Sequence, residues 1–288
     1  MLGLGLGINK INLMFSGSET SLILDTITAI NGYSTSRQLK TSATNAIRVE
    51  RASDSTQQDI GFVDEELDEV SLLAFTGVSD GIVVTLYDQV GTDHYIATVA
   101  TGPRVATSGS VVKQDGKPTL DFYYSGQKSM LLTKTISQPF VTNTIATSVS
   151  TGNRQLVKNA ADLNWRFGFD VGGTFWYAIA GLPISSTVPS SLDQTLISNY
   201  FNGASSYVRI NQVSTIGDAG TNNAINPTLG SSWRGKISEH IILADDSELS
   251  ILETNQQLYY STPFLGDVYV TSDSFKYVTS DSNVYILK

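Results

Sequence analysis

The sequence contains no cysteine and only two histidines, His94 and His240. Without thiols there are no disulfide staples, thiolate metal sites or cysteine nucleophiles. A histidine zinc site would need both imidazoles, or one with carboxylates, at a spacing this chain does not show, so no metal and no cofactor are expected. Long apolar runs are also missing, which excludes a membrane-spanning segment and membrane insertion. Charge is sparse, at 16% of residues, and acidic on balance: 18 Lys and Arg against 27 Asp and Glu give a net charge of −9. Such a surface repels a phosphate backbone, so nucleic acid is not an expected partner.

What is present favours strands. The 288 residues are 41% hydrophobic, enough for a sizeable core. Serine, threonine and 24 glycines accompany valine and isoleucine, a composition of short strands joined by turns. Three segments differ in texture. Residues 1–21 alternate Leu2, Leu4, Leu6 and Ile8 with glycine, and read as an N-terminal docking arm. Residues 22–262 read as one β-rich body, with strands expected at 46–49, 81–87, 119–122, 163–170, 174–179, 206–211 and 235–243. Helices are expected at 64–75 and at 246–260, the latter opened by Asp245, Asp246, Ser247 and Glu248 as a cap and acidic first turn. Residues 263–288 repeat themselves: Tyr269–Ser274 (YVTSDS) recurs unchanged as Tyr277–Ser282, the period of a short meander or C-terminal hairpin serving as an assembly tail.

Several stretches of the body carry a resemblance. Leu24-Asp25-Thr26, Gly32–Leu39 (GYSTSRQL), Ala46–Asp54 (AIRVERASD) and Gln58–Phe62 (QDIGF) are followed by Leu86–Gln89 (LYDQ), Gly102–Val105 (GPRV) and Gly116–Phe122 (GKPTLDF). Tyr207–Asn211 (YVRIN) and Trp233–Glu239 (WRGKISE) complete the set. This pattern resembles the arabinofuranosidase-B-type catalytic domain, a concanavalin-like jelly roll, and the laminin-G-like jelly-roll domains of tailed-phage virion proteins. The resemblance implies an all-β jelly-roll sandwich with one or two short helices, flanked by the arm and the β tail. Read without the family, Arg51 and Asp54 form a charge-assisted pair at a turn, and Gly116-Lys117-Pro118 is a turn entering a strand.

The resemblance also frames the chemistry. A retaining glycosidase needs two carboxyl groups about 5 Å apart. In the arabinofuranosidase pattern a glutamate follows a Phe-Asp-Tyr-Gly-Asn stretch; here Phe169-Asp170-Val171-Gly172-Gly173-Thr174-Phe175 brings none, and the family's vicinal cysteines are missing. Asp245 and Asp246 stand near the expected acid but serve equally as a helix cap. No catalytic residue is assigned, and the protein is expected to be non-enzymatic. His240 is expected on a strand's outward face and His94 in an exposed loop.

Carbohydrate binding by aromatic faces and planar polar groups would draw on Trp176, Tyr177 and Tyr207, with Asp218, Asn222 and Asn223 from the loop 217–227. That loop could equally hold calcium or be a plain polar connection. Trp176 and Tyr177 are adjacent, so on a strand one faces the core and the other the outside. The reading these features favour is a phage virion structural protein: a head fibre, tail fibre or decoration protein assembled in the host bacterial cytoplasm. Its expected partners are other virion proteins, further copies of itself as a trimer or dimer, and a host-surface glycan. The alternative is a secreted carbohydrate-active protein related to arabinofuranosidases.

Overall fold

The computed structural model describes residues 21–123, 126–150, 152–170 and 172–261, and the backbone of three strands further on. The N-terminal docking arm predicted for residues 1–21 lies outside the described residues except for Ser21. The body is built from strands β1 Ala29–Ser34, β2 Asn45–Arg51, β3 Gln57–Val63, β4 Gly81–Leu86, β5 Tyr95–Ile96, β6 Met130–Leu132, β7 Phe140–Ser148 and β8 Arg154–Asn159. They are followed by β9 Trp165–Phe169, β10 Phe175–Ala180, β11 Pro183–Pro189, β12 Thr195–Phe201, β13 Ser206–Ile210, β14 Val213–Gly217, β15 Pro227–Leu229 and β16 Gly235–Leu243.

The strands pair antiparallel in two layers. One runs β1-β16-β7-β12-β13-β14. The other runs β3-β2-β4-β5-β6-β15-β8-β9-β10-β11. Short strands at Arg104–Thr107 and Leu120–Asp121 join β4 of the second layer to β16 of the first. The fold is therefore an all-β sandwich, as the composition and the resemblance imply.

The core between the layers is aromatic. Trp165, Phe140 and Phe201 form one cluster, and Phe169, Trp176 and Trp233 another, with ring centroids 4.4–5.9 Å apart. Offset and edge contacts of this kind stabilise beyond area burial alone. The outer face of the first layer is covered as well. Helix α1 (Ile23–Thr26) and helix α3 (Leu249–Tyr260) pack Ile23, Leu24, Leu249 and Leu252 on Val141, Ile241 and Leu243. Helix α2 (Glu69–Thr76) lies between them in sequence and is capped by Asp68, which accepts from Ser71 N at 2.9 Å.

Several expectations are corrected here. The helix predicted over 64–75 begins only at Glu69, because Asp64 and Glu65 both take positive φ and turn β3 into a short strand at Glu66–Leu67. The last helix begins at Leu249, since Asp245 closes a turn onto Ser247 and Glu248 accepts the Thr28 N–H instead. His240 is not an outward residue: it is 1% exposed, bonded to Thr144 Oγ1 at 2.8 Å and packed near Tyr33, Tyr95 and Phe167. Both faces of β16 are covered, so alternation does not send either one to water. His94 is half-buried; its Nδ1 accepts from Asp88 N at 3.0 Å and its ring stands edge-on to Tyr87.

Other local readings match. Arg51 and Asp54 pair at 2.6 Å, and Asp115 and Gly116, both at positive φ, turn the hairpin of Lys113–Gln114 and Lys117–Pro118. The C-terminal strands Val268–Thr271, Ser274–Val278 and Val284–Ile286 pair as an antiparallel meander. Among the described residues no helix is long and apolar enough to cross a membrane.

Candidate functional site

Strands β8 to β11 form a consecutive meander at one end of the second layer. Gly168 makes the β8–β9 contact possible: at φ +155°, a Cβ there would stand 1.9 Å from the Arg154 carbonyl oxygen. Only glycine fits this approach, and the adjoining bulge between Gln155 and Val157 lets β8 bend toward β9. Along β10 the pleat divides the side chains. Trp176, Ala178 and Ala180 enter the core, while Tyr177 and Ile179 lie on the opposite face.

On that opposite face Asn153, Arg166, Asp170, Tyr177, Ile179, Pro183 and Ser185 line a pocket of about 140 Å³. This is well below the roughly 300–1,000 Å³ of a site for a drug-sized ligand, and suits one small ring. Arg166 Nε donates to Tyr177 Oη at 3.1 Å, and its Nη1 donates to the Leu163 carbonyl. Burial raises the Tyr177 hydroxyl above the usual tyrosine range, while the Arg166 charge opposes the rise. Tyr177 therefore stays protonated at neutral pH and can donate to a ligand.

Asp170 follows β9 directly. Its Oδ1 accepts from the Thr174 and Phe175 N–H groups at 2.7 and 3.4 Å, and its own N–H donates to the Phe175 carbonyl at 3.0 Å. Among the described residues its Oδ2 takes no hydrogen bond, so one carboxylate oxygen remains available in a half-buried setting. Among the described residues Asp170 is the sole carboxylate lining this pocket.

The residues singled out from sequence fall in separate places. Tyr177 lines the pocket. Trp176, its neighbour, is 1% exposed and packed on Phe169 and Trp233, so it touches no ligand. Tyr207 lies on β13 beside Tyr200 and donates to Asp246 Oδ2 at 3.1 Å, on the outer face of the first layer. Asp218 accepts from Gly220 N at 2.8 Å, Asn222 donates to the Asn164 carbonyl, and Asn223 Oδ1 accepts from Gln138 N. These three side chains tie loops together and do not line the pocket. Among the described residues no group of three or more His, Cys, Asp or Glu gathers to hold a metal.

Asp245 and Asp246 cannot pair with Asp170 as a glycosidase dyad. Phe169 packs on Trp233, just before β16 begins at Gly235, whereas Asp245 follows its far end at Leu243. The nine-residue strand between them spans roughly 26 Å at 3.3 Å per residue, far beyond the spacing either stereochemical course uses. Asn153 and Arg166 were missed from sequence. The only signal was Arg166 alternating with Trp165 and Phe167, which marks it as facing away from the core.

No family model matches the chain, and no curated protein matches it in sequence. Solved structures do. A mutant GH54 α-L-arabinofuranosidase soaked with 4-nitrophenyl α-L-arabinofuranoside aligns with a TM-score of 0.60 and 12% identity, over 87% of this chain and 69% of that one. A GH54 α-L-arabinofuranosidase soaked with a cyclic sulfate inhibitor aligns with a TM-score of 0.54 and 12% identity, over 90% and 72%. An arabinofuranosidase complexed with arabinofuranosyl-α-1,2-xylobiose gives 0.53 and 12%, over 90% and 71%. At this identity the likeness establishes the fold, and the arabinofuranosidase half of the resemblance read from sequence stands. The structural neighbours are glycoside hydrolases, and against that finding the expectation of a non-enzymatic phage fibre or decoration protein is overturned.

Proposed function

We propose that the protein is carbohydrate-active and hydrolyses a glycoside whose terminal ring, of arabinofuranosyl size, enters the pocket of Arg166, Asp170 and Tyr177. The observation that carries this reading is the free Oδ2 of Asp170 beside the Arg166–Tyr177 pair, on a sandwich of arabinofuranosidase type. In this reading Tyr177 Oη donates to a ring hydroxyl and the Arg166 guanidinium fixes its orientation. Asp170 removes a proton from the water that attacks the anomeric carbon as the bond to the aglycone oxygen breaks. The departing alkoxide takes a proton from bulk water to leave as the alcohol, and Asp170 returns its proton to solvent.

The test is release of 4-nitrophenol from 4-nitrophenyl α-L-arabinofuranoside. Nitrophenolate departs without needing a protonated partner, so this substrate reports on the base alone. Turnover that falls by about 10²-fold or more in Asp170→Asn, the usual scale of a lost general base, supports the reading. No release by the wild type, together with no calorimetric binding of arabinotriose, overturns it.

A further inference from the structure

The pocket has room for one ring, so the rest of a bound glycan has to lie outside it. On one side the sheet soon ends: Ile179 pairs with Pro183 on β11, the last strand of the second layer. On the other side the register continues. Arg166 of β9 stands opposite Lys158 of β8, Lys158 opposite Thr228 of β15, Thr228 opposite Leu131 of β6, and Leu131 opposite Ile96 of β5. The chain neighbours of these residues, Phe167, Val157, Leu229, Leu132 and Tyr95, all enter the core. The pleat therefore puts the whole row on the face that carries the pocket.

Cβ atoms of residues directly opposite in neighbouring strands stand about 5 Å apart, which makes the row continuous. It ends on β4, where Thr85 pairs with Ile96 and points the same way as Tyr87 two residues on. Tyr87 donates to Asp59 Oδ1 at 2.8 Å, and its ring meets His94 edge-on. From β9 across β8, β15, β6 and β5 to β4 the distance is roughly 24 Å at the strand spacing of a sheet.

The row mixes apolar and polar groups. Leu131 and Ile96 lie side by side and remain 40% and 50% exposed, so no described element covers them. Lys158 and Thr228 are half-buried, and among the described residues their side chains form no hydrogen bond or ion pair. An ammonium and a hydroxyl are thus open to a ligand beside a small apolar surface.

We propose that this row is the track on which the remainder of the glycan lies, and that Lys158, Leu131 and Ile96 set a preference for long chains over short ones. This rests on the carbohydrate reading above and adds where the ligand continues beyond its terminal ring. A sugar chain presents C–H faces and hydroxyl groups together. The first pack on Leu131 and Ile96, and the second accept from Lys158 and exchange hydrogen bonds with Thr228.

The full-length protein is titrated calorimetrically with two pairs of probes. One pair is arabinotriose and arabinooctaose; the other is arabinofuranosyl-xylobiose and an arabinofuranosyl-substituted xylooctaose. In at least one pair the longer member should bind about tenfold or more tightly, the scale of partly burying two apolar side chains. Leu131→Asp and Ile96→Asp should each lower that long-to-short ratio by about fivefold or more. Equal affinity of long and short members in both pairs overturns the proposal, and this comparison uses the wild type alone. An advantage that survives both substitutions also overturns it. So does self-association of the wild type that Leu131→Asp abolishes, since the face then belongs to a second copy of the chain. Release of nitrophenol without a length advantage removes this inference and leaves the proposed function standing. A Leu131-dependent length advantage without arabinofuranoside turnover does the reverse.

Discussion

Two regions of this protein hold arginine under opposite terms. Beneath helix α3, on the outer face of the first layer, Arg37 is buried and every part of its guanidinium is engaged. Nε and Nη2 meet the two oxygens of Glu239 at 3.0 and 3.1 Å, Nη1 meets Asn255 at 2.7 Å, and Tyr259 lies under the plane at 4.4 Å. Glu239 is completed in turn by Gln256 and Tyr260. A second pair nearby is looser: Arg209 Nη2 meets Glu253 at 3.0 Å and Ser198 bonds the other carboxylate oxygen, while Arg209 Nε has no hydrogen-bond partner among the described residues. Toward the opposite end of β16, the half-buried Arg154 and Arg234 form no ion pair among the described residues. A polar cluster whose members bond one another holds the fold together.

Substitutions sharpen that contrast, and the largest effect belongs to α3. Glu239→Ala strands the buried Arg37 and should cost on the order of 3–5 kcal/mol, read as a lowered urea midpoint. Arg234→Gln should change stability by no more than about 0.5 kcal/mol, as a substitution that removes no structural partner does. Comparable losses in the two variants would break the distinction.

The next effect is a pH dependence in the core. Desolvation pushes His240 down to about 3, against 6.5 for the free side chain. The unfolded chain therefore takes up the proton first as pH falls. The stability that His240 contributes is complete above 6.5 and is lost between there and about 3, with a slope of up to about 1.4 kcal/mol per pH unit. A neutral replacement, His240→Asn, should flatten the stability profile between pH 6.5 and 4.5 even though it lowers stability at pH 7. An unchanged slope would show that the imidazole does not stay neutral in the core.

A smaller effect than that of Glu239→Ala belongs to the pocket. Tyr177→Phe removes the acceptor for Arg166 Nε and should cost about 1 kcal/mol of stability or less. It should weaken glycan binding within about tenfold, since a single neutral hydrogen bond is lost. A loss of binding without any change in Arg166-dependent stability would mean that Tyr177 serves only the ligand.

The arabinofuranosidase-like sandwich was legible in part because its signals are local. Strands 46–49, 81–87, 206–211 and 235–243 were marked by β-branched and aromatic residues between turn formers, and each has a counterpart in the fold. The Asp115-Gly116 turn and the Arg51–Asp54 pair span a few residues and need no distant partner. Strands β7 and β12 were not marked. Their buried Thr142, Asn143, Thr144, Ser198 and Asn199 look polar in sequence, and are tolerated inside because they bond one another, the ladder and α3. His240 failed for a related reason: Ser238 bulges from the β7–β16 register, and helix α3 covers the face that alternation would assign to water.

The site was legible only at single residues. The adjacency of Trp176 and Tyr177 marks a pair divided by the strand, and the packing of Phe169 and Trp233 decides that Trp176 enters the core. By itself the sequence determined that the chain is rich in strands, acidic, thiol-free, and equipped with the turn residues its hairpins require, because those properties follow from composition and near-neighbour geometry. The tertiary structure alone decided that Arg37 meets Glu239 and that Asp170 and Asp245 lie toward opposite ends of β16. Such pairings are set by strand register across the whole chain, and no local pattern of residue types encodes which distant charges a register will bring together.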